Sequence, residues 1–171
     1  MPAIRRDFHD VLAPIVYLDS TVAIAAEDNH ERFHAECDAF RQRIESRTIL
    51  PVVSDFVYNE VAFHHIKSAL ADEGRRQGKS WMWVKRNMTH IFDAAMINVQ
   101  TSRATLERMT LKLSITDSVI VRAFQLMQDF HLLPTDAFHI ATALESNVNV
   151  FATLDKDFLV VDGIIIYTCV P

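Results

Sequence analysis

"IVYLDSTVAIAA" (Ile15–Ala26) opens with four apolar residues, stops on an acid and continues with small and apolar residues. An apolar run without alternation reads as a short strand buried on both faces, because a half-buried strand would alternate polar with apolar positions. Asp19 ends the run, and Ser20 offers a side-chain oxygen that can start a helix. A strand that feeds straight into a helix is the building unit of a parallel sheet.

The rest of the chain repeats this alternation. Phe33, Cys37, Phe40 and Ile44 form an amphipathic stripe, which predicts a helix. "TILPVV" (Thr48–Val53) reads as a second strand, and a helix follows from Ser54 through "DFVYNEVAFHHIKSAL". Beyond the "GRRQGK" break, Trp81, Met82, Val84, Met88, Ile91 and Phe92 predict helix as far as Met96, and "INV" (Ile97–Val99) reads as a strand. A further helix is expected over Thr116–Phe130. Ile120, Phe124 and Met127 make one apolar row there and Val119, Ala123, Leu126 and Phe130 a second, which predicts a mostly buried helix. "DAFHIATALES" supplies another helix with Ala137, Ile140, Ala141 and Leu144 inward, and "VNVFATL" and "GIIIYTCV" read as closing strands. The expectation is an α/β fold with a central parallel sheet of four to five strands, flanked by helices on both faces. It forms one domain over residues 15–171, preceded by an N-terminal arm over residues 1–14.

Composition narrows the class. Of 171 residues half are hydrophobic and only 3 are Gly, which fits a compact folded chain. A net charge of -5 argues against a generally basic nucleic-acid binder and leaves room for a local basic patch. Two cysteines, Cys37 and Cys169, are too few for a disulfide framework. Arg5 and Arg6 are followed by Asp7 and Asp10 rather than by an apolar stretch, so no secretory signal is expected. No run approaches the roughly 18 apolar residues of a membrane span. A cytoplasmic protein outside the membrane is the expectation.

"HERFH" (His30–His34) spells H-E-x-x-H, which proposes a zinc peptidase using His30, Glu31 and His34. That chemistry needs a third ligand and a buried helix, whereas Arg32 puts a charge inside the motif. A structural zinc site on His30, His34 and Cys37 is a variant of the same reading. The competing expectation puts Phe33, Cys37 and Phe40 on the sheet, with Glu31 and Arg32 in water.

A different set of acids is better placed. Open parallel sheets bind ligands beyond the carboxyl ends of their strands, where Asp19 and Asp155 fall. Glu60 and Asp136 sit in apolar helical surroundings with no Lys or Arg close in sequence. Singly, each acid is well explained as a helix-start or loop residue. Brought together, they would repel one another unless a cation joined them, and hard divalent ions such as Mg²⁺ or Mn²⁺ prefer oxygen ligands.

"IVYLDSTVAIAA", "VVSDFVYNEVAF", "LLPTDAFHIATALE" and "VFATLDKDF" resemble, in order, the four signature blocks of the PIN-domain nucleases. They are most similar to the VapC-type toxins of VapBC toxin–antitoxin pairs. The resemblance implies a metal-dependent ribonuclease with Asp19, Glu60, Asp136 and Asp155 as the catalytic acids and Mg²⁺ or Mn²⁺ as cofactor. It implies metal ligation by Asp19, Asp136, Asp155 and Asp157, with Ser20 and Thr153 in support. It further implies an RNA substrate, a homodimer, and an antitoxin that blocks the acidic site. A non-catalytic PIN-fold module that binds RNA or protein is the alternative; it would bind RNA without metal and without turnover.

The N-terminal arm and an expanded segment over residues 67–96 go beyond the toxin pattern. Between Lys67 and His90 there are six basic residues against Asp72 and Glu73, +4 in a chain of -5. Arg75, Arg76, Lys79, Lys85 and Arg86, interleaved with Trp81 and Trp83, suit a surface that tracks phosphates and stacks bases. The alternative is a solvated helix whose tryptophans pack inward or into a dimer. His139 is expected to be a hydrogen-bonded core residue, and His64 lies one turn beyond Glu60.

Overall fold

The computed structural model describes residues 1–46 and 48–171. The elements run β1 (Ile4–Arg6), β2 (Ile15–Leu18), α1 (Ser20–Glu27), α2 (His34–Glu45), β3 (Leu50–Ser54), α3 (Asp55–Gln77) and α4 (Trp81–Asn87). They continue with α5 (Thr89–Met109), β4 (Leu111–Leu113), α6 (Asp117–Phe130), α7 (Pro134–Glu145), β5 (Val150–Ala152), a 3₁₀ turn (Lys156–Val160) and β6 (Ile165–Tyr167). The chain divides into two compact units, one of Met1–Val57 with Met109–Pro171 and one of Tyr58–Arg108.

The first unit holds a six-stranded, wholly parallel sheet in the order β1-β6-β5-β2-β3-β4. Val16, Tyr17 and Leu18 are consecutive and all buried, so both faces of β2 are covered. The register shows what covers them. Tyr17 aligns with Phe151, and Leu18 aligns with Ala152 and, through it, Tyr167, so the two rows point to opposite faces. Tyr17 meets His139 of α7 edge-on, with ring centroids 5.9 Å apart, while Tyr167 meets Phe40 of α2 at 6.2 Å. Hence α7 packs on one face and α2 on the other.

Six strands exceed the four to five expected, and the difference lies at the edges. β1 falls within residues 1–14 and contains Arg5 and Arg6, while β4 is centred on Lys112. Edge strands tolerate charged residues, so neither has the apolar run that marks an inner strand. "INV" is not a strand but part of α5. Ala95, Ser102 and Leu106 are the buried positions there, spaced seven and four apart, and Ile97 is 69% exposed. Three apolar residues cannot outweigh a helical period that runs through them.

Two helices also differ from expectation. Only the row Val119, Ala123 and Leu126 of α6 is buried, while Ile120, Val121 and Phe124 are exposed. The residues before α2 form turns rather than helix. Asp28 Oδ1 accepts the His30 N–H at 2.9 Å, a local bond that competes with helix initiation, and α2 begins only at His34. Cys37 and Phe40 are buried, and Glu31 and Arg32 are exposed.

The second unit is helical, formed by most of α3 with α4 and α5. His65 Nε2 lies 2.8 Å from Ser102 Oγ, tying α3 to α5. The link from α3 to α4 is tight: the Lys79 N–H donates to the Gly74 carbonyl at 2.8 Å, and a Cβ at Gly74 would lie 2.7 Å from the Lys79 carbonyl oxygen. Gly78, with φ of 63°, makes that turn. Among the described residues, no helix is long and apolar enough to cross a membrane.

Candidate metal and active site

Strand order sets the position of the site. From β2 the chain moves to β3 and β4 on one side, then returns through α6 and α7 to β5 on the other. The gap beyond the carboxyl ends of β2 and β5 is therefore the switch point, where parallel sheets hold ligands. Asp19 follows β2, and Thr153, Leu154 and Asp155 follow β5.

Asp19 is only 3% exposed, and an ionised carboxylate that deep needs partners. Thr21 and Thr153 provide them, their hydroxyls donating to Asp19 Oδ2 at 2.6 and 2.8 Å. The same hydroxyls accept from the backbone, Thr21 from the Leu154 N–H at 3.0 Å and Thr153 from the Asp155 N–H at 2.9 Å. Two threonines thus bind the end of β2 to the segment after β5. Ser20 is buried at the start of α1.

On its other side Asp19 faces His139, whose Nε2 lies 3.9 Å from Asp19 Oδ1. His139 Nδ1 is 2.7 Å from the Tyr17 hydroxyl, which is 2.6 Å from Ser54 Oγ. This buried chain of polar groups links β3, β2, α7 and the first acid. His139 is the hydrogen-bonded core residue expected, and it also borders the site.

Asp136 lies in the first turn of α7, half-buried. Asp136, Asp155 and Asp157 each offer an oxygen, and these oxygens lie within 4.8 Å of one another. Burial, and then the charges of Asp155 and Asp19, push the Asp136 carboxyl up to about 6, with Asp157 adding and His139 opposing. Asp157 is exposed, and its N–H donates to Asp155 Oδ1 at 2.9 Å. Three clustered carboxylates, one with its proton affinity raised by the others, are a donor set suited to a hard divalent cation.

The chain matches the PIN domain family over residues 16–164. It belongs to that family. Its fold is similar to that of VapBC2 from Rickettsia felis, solved bound to a DNA fragment of its promoter. That similarity has a TM-score of 0.56 at 11% identity, over 90% of this chain and 98% of the other. VapC20 of Mycobacterium tuberculosis, described as a toxin that cleaves the sarcin–ricin loop, aligns with a TM-score of 0.53 at 14% identity, over 84% of this chain and 92% of its own. A toxin–antitoxin complex from Klebsiella pneumoniae aligns at 0.50 and 17% identity, over 87% and 94%. A search of curated proteins found no match.

Within this PIN domain the first unit gathers Asp19, Asp136, Asp155, Asp157, Thr153 and Ser20 at one end of the sheet. Glu60 is half-buried on α3 in the second unit, as is His64. Arg75, Arg76, Lys79, Lys85 and Arg86 are all exposed in that unit. The helical zinc reading fails on geometry. His30 lies outside α2 with its ring on Asp28, and His34 Nδ1 is 2.8 Å from the Ala25 carbonyl, so the two are not one turn apart on a helix. Sequence reasoning missed Thr21, Tyr17 and Ser54. A hydroxyl two residues after Asp19 was the available signal for Thr21; Tyr17 and Ser54 gave none, being polar only at their tips inside apolar strands.

Proposed function

We propose that this PIN domain is a divalent-metal-dependent endoribonuclease, acting as the toxin of a toxin–antitoxin pair. The observation that carries the reading is the cluster of Asp136, Asp155 and Asp157 beside buried Asp19, at the switch point of the sheet. Asp136, Asp155, Asp157 and Asp19 would hold Mg²⁺ or Mn²⁺, which when bound supplies an activated water and neutralises charge on the scissile phosphate. The chain's own groups do the positioning. Thr21 and Thr153 fix the orientation of Asp19 through Oδ2, which leaves Oδ1 on the side of His139. Asp136, with its raised affinity for protons, keeps one up to about pH 6 in the metal-free protein and would release it when a cation arrives. Glu60 is assigned as the fourth acid on the family resemblance.

The toxin role, a homodimeric state and an antitoxin that inserts into the acidic site are proposed on the likeness of fold to toxin structures. An Arg from such a partner would meet the carboxylates in charge-assisted bonds. RNA cleavage by the full chain with Mn²⁺, with and without EDTA, tests the proposal, with Asp136→Asn as control. Cleavage that survives both chelation and the substitution would overturn it. Metal-independent RNA binding without any turnover would favour the non-catalytic module instead.

A further inference from the structure

The second unit carries large apolar side chains that it does not bury. α4 has seven residues, and of these only Val84 is buried. Trp83 is 41% exposed, and Phe63 on α3 is 50% exposed. Phe63 and Trp81 meet edge to face, with ring centroids 6.3 Å apart. Two of these rings carry an ammonium group: Lys67 Nζ lies 5.5 Å from the centre of Phe63, and Lys79 Nζ lies 5.6 Å from the centre of Trp83. A ring with a cation on one face offers its other face for stacking, and the same cation can reach a phosphate.

We propose that Phe63, Trp81 and Trp83, with Lys67 and Lys79, form a docking surface for single-stranded RNA. The choice of nucleic acid rests on the ribonuclease reading above. Charge disfavours a second copy docked through this same face, since two copies would set one +4 segment against another. A polyanion with open bases complements both features of the surface. Duplex RNA satisfies only the charge, because its bases are already stacked on one another.

The cations are not equivalent. Arg75 pairs with Asp72 and Arg76 with Glu73, whereas Lys79, Lys85 and Arg86 have no carboxylate partner among the described residues. The basic residues available to RNA are therefore Lys67, Lys79, Lys85 and Arg86. The platform is also preorganised. The Gly74–Lys79 bond fixes the residue before the cap, and Ser80 Oγ accepts the Trp83 N–H at 3.2 Å, so Lys79 and Trp83 are held on one short frame.

The test measures binding of the full-length protein to a fluorescein-labelled 12-nucleotide uridine RNA by anisotropy, in EDTA so that no cleavage occurs. Trp83→Ala and Lys79→Glu should each weaken binding about tenfold, as expected for one lost stack or one reversed phosphate contact. Trp83→Phe should recover most of the loss, and a duplex of equal length should bind more weakly than the single strand. Wild-type affinity in both Trp83→Ala and Lys79→Glu, or no binding by the wild type, overturns the proposal. So does a Trp83→Ala protein that binds RNA normally and loses only its oligomeric state by light scattering, which assigns the surface to a second copy. Binding in EDTA reports on this surface alone and cleavage with Mn²⁺ on the acidic site, so failure of one is distinguishable from failure of the other.

Discussion

The two charged regions of this molecule are built in opposite ways. The acidic site collects residues far apart in the chain at the switch point of a sheet, with Asp19 buried and its Oδ2 bonded across 134 residues to Thr153. The basic surface is local, with Lys67 on α3, Lys79 in the turn that follows and Trp81 and Trp83 on α4. A site made by topology can crowd like charges that a local surface would keep apart. Its groups are then under electrostatic stress, which a bound cation would relieve.

That contrast predicts where substitutions act. The largest effect is expected at the acids: Asp19→Asn or Asp136→Asn should lower Mn²⁺-dependent RNA cleavage at least about 100-fold, and EDTA should abolish it. Substitutions on the basic surface should change KM more than kcat. Equal loss of kcat from Trp83→Ala would break the contrast.

Next in size is the support around Asp19. Thr153→Val removes the hydroxyl that donates to Asp19 and accepts from Asp155, and should cost about 1–3 kcal/mol in denaturant unfolding. Tyr17→Phe leaves His139 and Ser54 without a shared partner, and a loss of about 2 kcal/mol is expected in the same measurement. Neither site touches solvent-exposed charge, so both losses should persist at high salt.

The smallest effect has the opposite sign. In the metal-free protein the Asp136 carboxyl is pushed up to about 6 from an ordinary 3.8. Between those values the folded state keeps a proton that the unfolded state has released, so stability falls as pH rises through this window. Asp136→Asn should therefore stabilise the metal-free protein at pH 7.5, by on the order of 1 kcal/mol once solvent screening of a half-buried group is allowed for. The gain should fade below about pH 4. Thermal melts at the two pH values check it, and saturating Mn²⁺ should reverse the ranking at pH 7.5.

How much of this was legible in the sequence follows the same division. Asp19 and Asp155 could be read because an apolar strand ending on an acid marks the ligand edge of a parallel sheet, and Asp136 because it opens an apolar helix. Thr21 left a signal two residues after Asp19, but its link to Thr153 and the Tyr17–His139 link could not be read, since the partners lie 132 and 122 residues apart. β1 and β4 were hidden by the arginines and the lysine that edge strands accept. "INV" misled because three apolar residues look alike in a strand and in a helix. Which way the tryptophans of α4 face was left open by the sequence, and the pairing of Arg75 and Arg76 with their own acids was not visible in it.

The pairing of β1 with β6 has a consequence for how the chain is made. Ile4 aligns with Ile165, so β1 must wait for β6 to be made before it can join the sheet. Contacts this distant carry a large loop-closure cost and form late in folding. During synthesis residues 1–14 have no strand to pair with, while β2 and β3 can already pair. The β1 edge should then be the last part of the protein to gain protection in pulsed hydrogen exchange.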